Sequence, residues 1–184
     1  MSTNTPLNIR ERLSERININ DVDEITYRIQ GNDRQRQELY DLLFDADDRV
    51  AYQAAWVFTH FSLLENRWLF GKHQQLVDEV LACLHPGKRR LLLNLLYVQP
   101  IDNSPRMDFL DFCLQHMKSK DELPGVQTLC MKLAWEMCRS IPELLQEFRA
   151  ILEIMEPDLL VPSIRAVRKN ILKAMPKGKS LQSY

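Results

Sequence analysis

The segment Asp45 to Phe61, "DADDRVAYQAAWVFTHF", limits the fold of this chain more than any other. An acidic turn runs into a helix that is apolar around most of its circumference. Val50, Ala54, Val57, Phe58 and Phe61 face one way, while Ala51, Ala55 and Ser62 offer small side chains to a second neighbour. A helix with two apolar sides needs cover on both. No stretch shows the strict apolar-polar alternation of a half-buried strand, so the cover must be further helices. Composition agrees: 5 glycines against 9 prolines suits helical hairpins better than strands and turns.

Apolar residues recur at three- and four-residue steps along most of the chain, marking one helical face after another. Leu76, Val77, Val80, Leu81 and Leu84 form one set, ending before "HPG". Val126, Leu129, Cys130, Leu133, Ala134 and Met137 form another after "LPG". Leu144, Leu145, Phe148, Ile151, Leu152 and Met155 follow the break at Ile141-Pro142, and Ile164, Val167 and Ile171 mark a last helix beginning near Pro157. Ser104-Pro105 reads as an N-cap and a first-turn proline for the helix carrying Phe109, Leu110, Cys113, Leu114 and Met117. "DVDEITYRI" and "DRQRQELYDLLF" have the acidic starts that a helix N-terminus favours. The breaks are short, which predicts antiparallel hairpins and about eight helices.

An internal echo supports a repeat. "QAAWVF" corresponds to "KLAWEM", aligning Trp56 with Trp135, and "LVDEVLACLHP" corresponds to "LQEFRAILEIMEP", aligning Leu81 with Leu152. Two hairpins per half give a unit of about 35 to 40 residues, in the range of helical solenoids. Over residues 34–62, and again over 124–155, the chain resembles the HEAT-repeat and armadillo-like superfamily. The residues that carry this are Leu39, Leu42 and Leu43 in a first helix, Asp45 and Asp47 in the turn, then Val50, Ala54 and Ala55 in a second helix. Arg49-Val50 reverses the usual Val-Arg order. The resemblance implies an all-α, right-handed stack of antiparallel helical hairpins. The expectation is a single helical-repeat domain over 1–184, with short flexible ends at about 1–6 and 176–184.

No chemistry-bearing motif emerges. Cys113 and His116 share a helical face, but no second pair completes a metal site, and Cys113 fits the apolar side. His60, His73 and His85 lie near helix ends without triad partners. "PGKRR" and "PKGKS" lack the spacing of a phosphate-binding loop. "AMPKGKS" has the Met-Pro of a fumarase-type loop but neither its lysine spacing nor its asparagine. In HEAT-like DNA glycosylases, aromatics accompany a catalytic Asp; no such cluster surrounds Trp56, Trp68 or Trp135. The expectation is therefore a non-enzyme without catalytic residues, cofactor or metal. Cys83, Cys113, Cys130 and Cys138 sit at helical apolar positions and read as reduced core thiols. With no apolar signal or membrane-length run, the reading is a cytoplasmic protein without a membrane partner.

Charge is the remaining signal. No acid follows Asp158, whereas Arg165, Arg168, Lys169, Lys173, Lys177 and Lys179 follow it, so residues 1–158 carry −7 of a total of −1. Arg165, Lys169 and Lys173, with Arg168 beside them, form a basic stripe opposite Ile164, Val167 and Ile171. Lys88, Arg89 and Arg90 open a helix, where positive charge opposes the dipole unless an acid such as Asp121 or Glu122 compensates. Trp68 sits in the longer connection and is expected to be exposed. Lys88, Arg89, Arg90, Arg165, Arg168, Lys169, Lys173 and Trp68 are thus the candidate binding surface. The resulting expectation is a scaffold or adaptor that binds a protein or peptide partner. The second reading is nucleic-acid binding through 88–90 and 165–179.

Overall fold

The computed structural model describes residues 8–102 and 104–182. The expected flexible start at 1–6 lies outside the described residues. Among them the secondary structure is all helical, with eleven α-helical segments joined by short 3-10 turns. The chain divides into two compact units, 1–72 and 73–184.

In the first unit α1 (Ile9–Ser14), α2 (Ile19–Ile29) and α3 (Asp33–Asp41) lead to α4 (Asp48–His60) and the single turn α5 (Leu63–Asn66). Asn8, Asn18, Asn32 and Asp47 each cap a helix start with their own side-chain oxygen; at Asn18, Asp21 completes a capping box. Gly31 takes the left-handed conformation (φ 73°) that the sharp turn between α2 and α3 requires. Helix α4 packs against α1, α2 and the 3-10 turn Leu42–Phe44. It buries Val50, Ala51, Ala54, Ala55, Val57 and Phe58, as the two-sided pattern predicts. Ser62 is exposed instead, and its hydroxyl caps α5.

Gln53 is the polar exception on α4. Its carbonyl oxygen accepts the Ile17 amide at 3.0 Å, and its Nε2 donates to the carbonyls of Leu13 (2.7 Å) and Glu15 (2.6 Å). One buried amide thus satisfies three backbone groups in the bend between α1 and α2. An unsatisfied buried group costs about 1–3 kcal/mol.

The second unit holds α6 (His73–Ala82), α7 (Pro86–Tyr97), α8 (Met107–His116), α9 (Pro124–Cys138), α10 (Pro142–Ile154) and α11 (Pro162–Ala174). Four of these open on proline, whose missing N–H costs nothing in a first turn. Helix α9 packs against α7, α8, α10 and α11. Trp135, Leu133, Ala134, Met131, Cys130 and Val126 on it are fully enclosed. Burying each large apolar side chain contributes about 1.5–3 kcal/mol.

Several boundaries depart from the sequence expectation. Helix α8 begins at Met107 with Arg106 as its cap residue, so Ser104-Pro105 precedes the helix rather than opening it. Pro157–Leu159 is a separate 3-10 turn ahead of α11. Leu84 lies beyond the end of α6 and is 90% exposed. The residues from about 176, expected as a flexible end, are tied down as far as 182. Trp135 Nε1 donates to the Lys179 carbonyl (3.3 Å) and Arg139 to that of Gly178 (3.2 Å). The Leu181 amide donates to Glu136 Oε1 (2.7 Å), and Tyr97 Oη donates to the Leu181 carbonyl (3.0 Å).

Candidate functional site

The basic run at the start of α7 is largely consumed inside its own unit. Lys88 is only 6% exposed, and its Nζ meets Glu79 at 2.6 Å. Arg89 pairs with Glu122 and donates to the Cys83 carbonyl at 2.6 Å. Glu122 also accepts His116 Nδ1 at 2.7 Å, and the His116 ring stacks on Phe112 at 3.9 Å. Glu79 and Glu122 are therefore the acids that offset Lys88 and Arg89 against the helix dipole. Arg90 is exposed, with its aliphatic stem laid against Gly125. At Gly125 an added Cβ would come within 2.8 Å of that stem.

Helix α11 presents its cations differently. Arg165 and Arg168 turn back to backbone carbonyls, of Leu160 at 3.1 Å and Leu152 at 2.8 Å. Lys169 and Lys173 are exposed. Lys173 lines a cleft of about 430 Å³ together with Lys132 of α9 and Lys177 and Lys179 of the terminal segment. Asn170, Tyr97, Val167, Ala174 and Leu181 complete its walls, and no carboxylate is among them. Lys132 Nζ sits over the Tyr97 ring at 5.2 Å. Among the described residues none of these four lysines has an ion-pair partner. Glu136, one turn beyond Lys132, is engaged by Arg139 at 2.7 Å and by the Leu181 amide.

A second cleft, of about 390 Å³, flanks α11 and is largely apolar, with Pro142, Leu145, Leu172, Met175 and Pro176 beside Gln146 and Arg149. A third, smaller cavity of about 240 Å³ is lined by His73, Asp102, Arg106 and Phe109 among others. Asp78 at 2.6 Å and Asp108 at 2.7 Å neutralise Arg106 there.

Trp68 belongs to the first unit and is half-buried. Its ring meets Tyr40 edge-on at 5.5 Å, with Lys72 over it at 5.3 Å and the Arg36 guanidinium at 5.8 Å. Arg36 is in turn held by Glu65 at 2.6 Å. The sequence expectation of an exposed Trp68 therefore holds only in part.

The four cysteines are free and buried. Burial pushes the Cys83 and Cys113 thiols up, and that of Cys138 up to about 12, which suppresses the reactive thiolate. Cys113 and His116 take different partners: the thiol of Cys130 for one, Phe112 and Glu122 for the other. Among the described residues no group of three or more His, Cys, Asp or Glu is placed to hold a metal. No helix among them is long and apolar enough to cross a membrane.

Lys132 is the residue that sequence reasoning missed. It stands between the enclosed Met131 and Leu133 as the one cation of α9, and such a lone charge in a largely apolar helix is the available signal. Comparison with curated proteins and with solved structures gives no match. A family model described as a HEAT repeat domain matches residues 9–175, nearly the whole chain. Two-helix units, one enclosed helix at the heart of each compact unit and this match agree: the chain belongs to the HEAT repeat domain family.

Proposed function

We propose that this protein is a non-enzymatic helical-repeat scaffold that binds a protein partner along α11. The observation that carries this reading is the pair of open clefts flanking that helix, one apolar around Leu145, Leu172 and Met175, the other cationic around Lys132, Lys173, Lys177 and Lys179. A polypeptide offers both apolar and charged side chains to such neighbouring sites. A nucleic-acid backbone has no use for the apolar one. Nucleic-acid binding would also draw on the 88–90 cluster, where Lys88 and Arg89 already spend their charge on Glu79 and Glu122.

The test is capture from nuclease-treated cell extract on immobilised protein, read by mass spectrometry, with L145D/L172D alongside. The reading predicts proteins whose recovery survives nuclease and is lost in the variant. Recovery that disappears with nuclease, or a salt-sensitive shift of a DNA or RNA probe that L145D/L172D leaves untouched, would overturn it.

A further inference from the structure

We infer that the four-lysine cleft between α9, α11 and the terminal segment is a docking site for an acidic, extended peptide segment. This inference rests on the protein-binding reading above and names the chemistry of the partner.

The charge of this cleft has no carboxylate in the lining to compensate it. Lys132, Lys173, Lys177 and Lys179 come to it from three separate segments. The cations buried or half-buried near acids in the same unit are matched, Lys88 by Glu79, Arg89 by Glu122, Arg106 by Asp78 and Asp108, Arg139 by Glu136. Exposed cations such as Arg90, Lys118 and Lys120 stand singly or in pairs on the surface rather than converging on a cleft. Lys173 and Lys177 near the end of α11 gain from the negative pole of that helix. Lys132, in the middle of α9, has no such reason to be there. Its ammonium rests on the Tyr97 ring, held toward the cleft instead of on a carboxylate.

The spacing of the lysines suits an extended chain. Lys169 and Lys173 stand four residues apart on α11, Lys169 just outside the cleft lining, and Lys177 follows in the 3-10 turn beyond the helix end. On a helical surface such neighbours have Cβ atoms about 5–6 Å apart. Like charges so placed repel each other slightly, and an anionic ligand relieves that repulsion. Alternate side chains of an extended peptide project from one side every ~6.6 Å, close to that interval. Carboxylates at alternate positions can therefore meet successive lysines, while the residues between them project away from the cleft.

Single-stranded nucleic acid, the nearest rival ligand, fits the cleft less well. Sequence-tolerant binding of single-stranded nucleic acid needs open aromatic faces for stacking. Tyr97 is half-buried with the Lys132 ammonium over its ring, and Trp135 is fully enclosed with its N–H on the Lys179 carbonyl.

The full chain is titrated with a fluorescein-labelled peptide of alternating Glu and Ala, with its Gln-for-Glu counterpart, and with a labelled single-stranded oligonucleotide. Inorganic tripolyphosphate serves as a competitor. The Glu peptide is expected to bind, more tightly as salt falls, and at least about tenfold better than the Gln peptide. K173E/K177E is expected to weaken it about tenfold or more, and K132Q about two- to fivefold, the scale of exposed ion pairs. K118E/K120E, at exposed lysines outside the cleft, is expected to leave binding unchanged. Equal affinity for the Gln peptide, or unaltered binding by K173E/K177E with an unaltered circular dichroism melt, would overturn the inference. So would lysine-dependent binding of the oligonucleotide or tripolyphosphate in preference to the peptide. If the extract capture is lost in L145D/L172D yet unaffected in K173E/K177E, the scaffold reading stands and this cleft alone is refuted.

Discussion

Helices α4 and α9 occupy corresponding places in the sequence echo, yet they meet different surroundings. On α4, Trp56 is half-buried and touches His60 edge-on at 6.3 Å; on α9, Trp135 is wholly enclosed and hydrogen-bonded to the terminal segment. The same alanine-tryptophan pair gives two outcomes because α4 is covered by α1, α2 and a 3-10 turn, while α9 is covered by four helices. Both helices spend buried polar side chains on loops. Gln53 closes the bend between α1 and α2, and Glu136 closes the terminal segment. The second closure has a consequence the first lacks: it brings Lys177 and Lys179 to the wall of a cleft that already holds Lys132.

The largest effect expected from this contrast is at the two tryptophans. Trp135→Ala should cost about 4 kcal/mol in denaturant unfolding followed by circular dichroism, as enclosed aromatics do. Trp56→Ala should cost about half that or less, because part of its ring already meets water. Equal losses would mean that the echo, not the covering, sets their weight. Gln53→Leu should cost about 3 kcal/mol, since three backbone groups lose their partner together. The matching change Glu136→Leu should cost about 2 kcal/mol, the scale of a charge-assisted bond, with faster hydrogen exchange at the Leu181 amide. No change in that amide would detach the terminal segment from α9.

The last effect is set by pH. The Cys138 thiol, pushed up to about 12 by burial, stays protonated in the folded chain after it ionises in the unfolded one. The unfolded state then binds fewer protons, so stability should be fully present below about pH 9 and fall as pH rises from there toward 12. Cys138→Ala should flatten part of that slope in alkaline melts; an unchanged slope would assign it elsewhere.

What the sequence makes legible is local. Val50, Ala54, Val57 and Phe58 announce α4 because one helix carries the whole pattern within a few turns. Asp121 or Glu122 could be named as compensating acids for the cations at 88–90 because the cost of cations at a helix start is a local cost. Glu122 takes Arg89, while Lys88 takes Glu79, which that reasoning did not name. Helix α1 escapes because six residues hold only Ile9 and Leu13 on the buried side, too few for periodicity to register. The cleft escapes for the opposite reason. Lys173, Lys177 and Lys179 are legible as a basic run, but Lys132 stands far from them in the chain and joins them through bonds such as Leu181 to Glu136, which no window of neighbouring residues contains.

The most direct test is a heteronuclear NMR titration of the labelled full chain with the alternating Glu-Ala peptide. The account predicts chemical-shift changes confined to Lys132, Asn170, Lys173, Lys177 and Lys179 and their neighbours, with α4 and the Trp68 ring cluster silent. Shifts centred on Trp68 or Lys88–Arg90, or no shifts at saturating peptide, would contradict it.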